Sequence, residues 1–443
     1  MPRCKVDGTG SGWWMKRIVI IYGLMCAVLL ALVMPLLPFQ DDWTYLTAPN
    51  PDFAWRDLLP GAAFWRPFDA LWGGMLGCAP GLFPWANRIA IVLGHVLCVY
   101  LVARIVDELR EDRRGRSAAV GFFALSSGIA AVIVNTDSLN LVWSCVCGGA
   151  GTLALLRGRS LLSVFGCYAV SVLCKESGLS WLAVGPLLVY AKDPDGRRLV
   201  KFACLGACVF AVYLCARFAL QGEVVLGNGG DYALTLSPKT IGVNLSILAG
   251  LSVSGADALA FVSHRYFLFG ASAVLSIVAW CAFAACADAG RGKVAAQRLF
   301  VCAAMILAFA APHCLFKNHH PAEMHFYPVV LGTALALALA PMNYAKRMPF
   351  IVSVSSMCAV FAIGWFDKMT AIYESSARAE ALLAEVRNSV PVLSVPSVHR
   401  VKGAPEVVRY SVFSQPAIWC LGDGSAFRRY NGWRESKVAL VEE

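Results

Sequence analysis

The sequence predicts an all-α, polytopic membrane protein, and three observations carry that prediction. Hydrophobic residues make up 58% of the chain and charged residues only 15%, where water-soluble domains carry about a quarter charged. Mean hydropathy is +0.63. Long apolar runs recur, and the first, Arg17 to Leu37, reads RIVIIYGLMCAVLLALVMPLL, close to the roughly 20 residues a helix needs to cross a bilayer. The net charge of +10 sits in short linkers between such runs. It therefore reads as a topology signal rather than a nucleic-acid footprint.

Arg3, Lys5, Lys16 and Arg17 precede the first run, which lacks a small-x-small cleavage site. It is expected as an uncleaved anchor with residues 1–16 in the cytoplasm. Further apolar segments lie at 86–106, 118–134, 139–156, 161–173, 179–190, 199–220, 266–287, 299–312, 326–340 and 350–365. Counting about eleven crossings over 17–366 puts five basic linkers on the N-terminal side: DELREDRRGRS (107–117), RGRS (157–160), KDPDGRRLVK (192–201), DAGRGKVAAQR (288–298) and NYAKR (343–347). Counting 240–261 as a span would break that pattern. Its Gly and Ser content, with Asp257, suits a re-entrant or interfacial helix.

The opposite face then holds a long aromatic loop (38–85), two short loops, NTDSLN (135–140) and CKESG (174–178), and a His-rich loop from His313 to His325. It also holds a tail, 367–443, expected as a small extracytoplasmic α/β cap. The tail opens with the helical pattern DKMTAIYESSARAEALLAEVRNS and continues with short strand-like runs such as VVRYSVF and AIWCL. The seventeen cysteines fall mostly inside apolar runs and form no CxxC pair, so they read as small hydrophobes. Cys78, Cys314 and Cys420 would lie outside, with nothing to support a bridge among them.

Acids and bases on several short loops of one face are the chemical signal. Asp41 and Asp42 follow the first span in PFQDDWTYL. Adjacent carboxylates at a membrane edge repel and lose hydration, which favours a strong base; solvated loop residues are the plain alternative. Asp137 is the only charge between two spans. Lys175 and Glu176 join two runs too short for a full crossing, so they should be drawn below the surface, as a cavity pair or as an ion pair closing a hairpin. Arg66, in FWRPF, suits a phosphate because a guanidinium is always charged and binds two oxygens at once; its alternative is an interfacial anchor beside Trp65 and Trp72. His95, inside the second span, reads as a packing residue. His313, His319, His320, Glu323 and His325 do not have standard zinc spacing, so a divalent metal is left open and no cofactor is certain.

In their order these residues resemble a family. The paired acid, the Arg-Pro, TDSLNLVWSCVCGGAGTLALL, LCKESGLSWLAVGPLLVYA and AEMHFYPVVLGTALALALA look like the multispan glycosyltransferases of the GT-C fold, which use polyprenyl-phosphate sugars. The protein O-mannosyltransferases and the bacterial transferases that place aminoarabinose on lipid A are members. The resemblance runs from near Trp43 to Pro341, in short motifs whose order and shared side carry the weight. It implies that Asp41 or Asp42 takes the acceptor's proton and that Asp137 positions donor or acceptor. It likewise implies that Arg66 and Lys175, beside Glu176, lie near the donor phosphate, and that Glu323, His325 and Tyr327 match the late motif. Met324-His325-Phe326 stands where the family often has a basic residue next to the tyrosine.

The implied activity is inverting transfer of a sugar from a polyprenyl-phosphate donor to a hydroxyl, amine or phosphate on a glycan, lipid or protein. It would take place at the outer face of a bacterial inner membrane, among membrane lipids and without nucleic acid. A lipid-linked glycan flippase would want charges midway along broken helices in related halves. A glycan polymerase or ligase would want its large outer loop late in the chain, and here the long loop comes first.

Overall fold

The computed structural model describes residues 11–38, 46–59, 65–109, 113–221, 235–255, 260, 265–287, 292–315, 317, 323–343, 346–389, 397–401, 406–408, 414–416 and 438–442. Among them the membrane part is helical: α1 (Ser11–Val33), α2 (Pro67–Gly77), α3 (Trp85–Leu109), α4 (Arg113–Leu125), α5 (Ala130–Val134), α6 (Leu139–Leu156) and α7 (Leu161–Cys174). These are followed by α8 (Trp181–Lys192), α9 (Gly196–Gln221), α10 (Pro238–Ser254), α11 (Tyr266–Ala285), α12 (Gly292–Cys314), α13 (Phe326–Leu339) and α14 (Arg347–Ser389). Each apolar segment expected to span is helical, and the chain is a helical polytopic membrane protein. Six helices are long and apolar enough to cross: α3, α6 with the turn before it, α9, α11, α12 and α14. A seventh is added if α4 and the Ser127–Val134 piece, bent by 42°, count as one. The bend falls at Ser126, whose hydroxyl accepts from the Gly128 amide at 3.3 Å. The α1 stretch Ile20–Val33, α7 and α13 are shorter apolar helices. The 240–261 segment carries α10, 17 residues long, which ends at Gly255 in the left-handed region (φ 68°) and falls short of the crossing helices.

The helices sort by burial. In the most apolar stretch of α6 with its preceding turn 72% of residues are enclosed, and in α3 61%, against 11% in α9 and 22% in α11, α12 and α14. All of α13 is buried. So α3, α5, α6, α8 and α13 form the centre, and α9, α11, α12 and α14 lie in a lipid-facing ring, where exposed Val212, Phe267 and Ile277 meet hydrocarbon rather than water. Small residues let the central helices approach. A Cβ on Gly148 of α6 would lie 2.1 Å from the buried Trp181 indole of α8, the small-residue packing that membrane interiors use in place of a hydrophobic drive.

The five basic linkers gather at one end of the bundle. Glu108 pairs with Arg157 at 2.8 Å and with Lys192 at 3.2 Å. Gln297 donates to the Tyr190 carbonyl, and Lys346 donates to the carbonyls of Ala285 and Ala287.

The boundary expected at residue 366 falls inside a single helix. α14 runs 43 residues without a break, about 65 Å at 1.5 Å per residue. Asp367 and Lys368 need not leave the bundle, because Asp367 pairs with Arg265 and Lys368 donates to the Ser127 carbonyl. Beyond them Ile372, Ala379 and Leu383 repeat at helical spacing and are buried. Tyr373 donates to the Leu32 carbonyl, and Ser376 accepts from the Leu37 amide, tying this second half of α14 to the end of α1. In the tail, β1 (Ser397–Val401) pairs in parallel with β4 (Val438–Glu442), and β2 (Glu406–Val408) pairs antiparallel with β3 (Ser414–Pro416).

Candidate functional site

The far end of the bundle collects charge that is buried rather than solvated. Pro67 occupies the first turn of α2, where its missing N–H costs nothing. That start leaves Arg66 at the helix entry and Asp69 in the first turn, three residues on. Arg66 Nε donates to Glu176 Oε2 at 3.1 Å, with side-chain exposures of 9% and 14%. Glu176 reaches it because α7 stops at Cys174. Lys175 is extended (φ −156°, ψ 142°), and a 3-10 turn, Glu176–Ser180, folds back before α8. Gly178 permits the fold-back, since a Cβ there would sit 2.5 Å from the Ser171 carbonyl oxygen. Lys175 is consequently buried, as is Asp137 in the 3-10 turn Thr136–Ser138 that opens α6.

Asp69 joins the two groups. It is fully buried and accepts from Asn140 Nδ2 at 2.7 Å through Oδ2, while its Oδ1 has no hydrogen-bond partner among the described residues. Burial pushes its carboxyl up to about 7 against the opposing pull of Arg66, the Asn140 bond and Lys175. Burial likewise brings Lys175 down to about 8, helped by Arg66 and resisted by Asp137, Glu176 and Asp69. The same five charges thus act on one another. His325, at the entry to α13, stacks on His313 at the end of α12 with ring centroids 4.1 Å apart. Burial, then His313, Lys175 and Arg66, hold His325 well below the ordinary imidazole range, so it is neutral near pH 7. From α9, Tyr213 stacks on Trp65 at 5.8 Å, and buried Arg217 lies one turn further.

The chain just after the first span is tied to this end. Thr47 Oγ1 donates to the Thr136 carbonyl at 3.5 Å, and Asn87 Nδ2 donates to the carbonyls of Thr47 and Thr136. The Asn50 amide donates to the Gly73 carbonyl of α2 at 2.8 Å.

Of the residues expected from sequence, Arg66, Asp137, Lys175, Glu176 and His325 come together here. Tyr327 does not: its hydroxyl lies 3.0 Å from His95 Nδ1, fully buried between α3 and α13 beside Phe123. Its side chain points along the core because it follows the turn that aims His325 at the charges. His95 is accordingly a bonded interior residue. Asp41, Asp42, His319, His320 and the Glu323 side chain lie outside the described residues. Among the described residues, no three His, Cys, Asp or Glu side chains are placed to hold a metal ion, Cys78 and Cys314 are free thiols, and Cys420 is outside them. Sequence reasoning passed over Asp69, Asn140 and Arg217. Arg217, a charge within an apolar run, is a signal that could have been read. Asp69 could have been found from the three-residue spacing to Arg66 on a helix opened by proline.

Comparison with known proteins returns nothing: no family model, no curated protein and no solved structure matches the chain.

Proposed function

We propose that this protein is a membrane glycosyltransferase that moves a sugar from a polyprenyl-phosphate donor to a hydroxyl at the non-cytoplasmic face. The observation that carries the reading is the burial of Lys175, Asp69 and Asp137 beside the largely enclosed pair Arg66 and Glu176, at the end opposite the basic linkers. Buried charge in a membrane protein is costly and marks function more often than structure. In this reading about eleven helices cross in a GT-C-like arrangement; α8 and α13 can be short because neighbouring helices enclose most of their surface. Residues 1–16 and the linkers face the cytoplasm of a bacterial inner membrane, and the α/β tail lies outside.

The residues divide the work by charge. Arg66 and Lys175 hold the donor phosphate, the guanidinium through its fork and the ammonium as a point charge. A carboxylate accepts the acceptor's O–H proton. The freed oxygen attacks the anomeric carbon from the face opposite the phosphate, the C–O bond to phosphate breaks, and its electron pair leaves on the phosphate oxygen. Remaining carboxylate charge stabilises the oxocarbenium-like transition state. Asp137 is one carboxylate available for this. Asp41 or Asp42 is the other, since Asp42 is five residues from Thr47 and the chain can span no more than about 17 Å between them.

The test is transfer from a panel of polyprenyl-phosphate hexoses and pentoses labelled in the sugar, using membranes that hold the wild type or a variant. Asp137→Asn and Lys175→Gln should each lower release of polyprenyl phosphate by on the order of a hundredfold; Asp41→Asn and Asp42→Asn separate the two candidate bases. Wild-type activity should fall on an alkaline limb near pH 8, where Lys175 loses its proton, and Lys175→Arg should remove that limb. Wild-type turnover in every one of these variants would end the proposal.

A further inference from the structure

Away from the charged site an apolar groove of about 240 Å³ runs between α4, α11, α13 and α14. It is far above the water-sized voids of packed interiors. Gly121, Phe283, Leu337 and Met357 line its body, and Ser117 and Phe350 stand at its mouth. The mouth lies at the linker end, because Ser117 directly follows the basic linker 107–117 and Phe350 comes one turn after Arg347. At the other end of its lining the rings of Phe122 and Phe361 meet edge-on at 5.3 Å, and Trp365 Nε1 donates to the Leu125 carbonyl at 2.9 Å. From Ser117 to Leu125 the helix rises about 12 Å, close to the roughly 15 Å of one leaflet's hydrocarbon.

The charge at the mouth is specific in sign. Arg116 is already paired with Asp107 at 3.0 Å. Lys346 is exposed and spends two of its donors on the carbonyls of Ala285 and Ala287, and Arg347 beside it is exposed as well. No carboxylate among the described residues pairs with Lys346 or Arg347. An apolar slot about one leaflet deep, with two cations at its linker end whose charge no described carboxylate neutralises, matches a lipid with one chain in the slot and an anionic head at the rim. We infer that this groove is a binding site for an anionic phospholipid of the leaflet at the linker end, one acyl chain lying between α4 and α14 and the phosphate resting on Lys346 and Arg347. The inference is independent of sugar transfer, since none of its residues belongs to the charged cluster.

Gly121 supplies a clean plug, because a Cβ there meets nothing within 4 Å. The full-length protein would be reconstituted into phosphatidylcholine vesicles with a minor fraction of phosphatidylglycerol carrying a photoreactive group at mid-chain. Illumination should attach that lipid to peptides containing Leu337 or Met357. Gly121→Phe should lower this labelling by blocking the slot. Lys346→Glu with Arg347→Glu should lower it on the order of tenfold, while leaving labelling by the equivalent phosphatidylcholine probe unchanged. Equal labelling by the two head groups, labelling that survives both variants, or preferential capture of a polyprenyl-phosphate probe at these peptides would each overturn the assignment.

Discussion

Both ends of the bundle carry ion pairs, and the two sets differ in what water can reach. At the linker end Glu108 meets Arg157 and Lys192 with side-chain exposures of 26–38%, and Arg198 meets Asp193 at 60% and 56%. At the other end Arg66 and Glu176 are exposed by only 9% and 14%, with fully buried Asp69 beside them. An exposed pair is worth about 0–1 kcal/mol, because solvent already stabilises each charge. A buried pair costs desolvation that its own attraction barely offsets, so apolar residues of the same size would often serve stability better. In the topology proposed above, the linker end needs its charges only to set which way the helices thread. The charged end retains groups that stability alone does not favour, which points to a ligand carrying the complementary charge.

The sharpest way to break that comparison is to remove one member of the buried pair, then both. Arg66→Met should destabilise the protein by about 3 kcal/mol, because Glu176 loses the guanidinium hydrogen-bonded to it; its Oε1 already has no hydrogen-bond partner among the described residues. Arg66→Met with Glu176→Leu should recover most of that loss in a thermal unfolding experiment in detergent, while sugar transfer stays absent. A single variant as stable as the wild type would mean that water reaches the pair, and the contrast between the ends would disappear. A double variant that transfers sugar would keep the burial argument and remove Arg66 from the chemistry.

A subtler effect follows from Asp69. Its carboxyl titrates near 7 in the folded protein against 3.8 for the free group, and burial is the main cause. At this carboxyl the folded state then binds more protons than the unfolded chain between these values, so the contribution of Asp69 to stability is greatest below about pH 4 and falls as pH rises through 7. Asp69→Asn keeps an oxygen to accept from Asn140 and removes the titration. Its unfolding midpoint should be flatter than the wild type's over that window. Parallel curves would show that Asp69 is already ionised, and the idea that this end is dry would lose its best support.

How much of this was legible depended on whether a residue's partners are close in sequence. Apolar length revealed the helices, because crossing a bilayer imposes a periodicity that needs no tertiary information. The depth of Lys175 and Glu176 could be read from the shortness of the helices flanking them. Tyr327 could not be placed, because only packing decides whether a side chain at a helix start faces the polar end or, as here, His95. The spacing to Arg66 could point to Asp69, but its bond to Asn140, 71 residues away, was decided by packing alone. The continuity of α14 was hidden by Asp367 and Lys368, which look like the end of a span until Arg265 and Ser127 are found beside them.

The smallest expected effect is the control for all of this. Glu108→Gln removes the ion pairs to Arg157 and Lys192 at once, yet its partners stay hydrated and a glutamine can still accept from Arg157. The cost should lie within about 0.5 kcal/mol, shrink further at high salt, and leave sugar transfer unchanged. Unfolding measured for wild type and variant at low and high ionic strength decides it. A salt-independent loss of about 2 kcal/mol or more would mean that these pairs are sealed from solvent as Arg66 and Glu176 are. Burial of charge would then no longer distinguish the end proposed for chemistry from the end that sets topology.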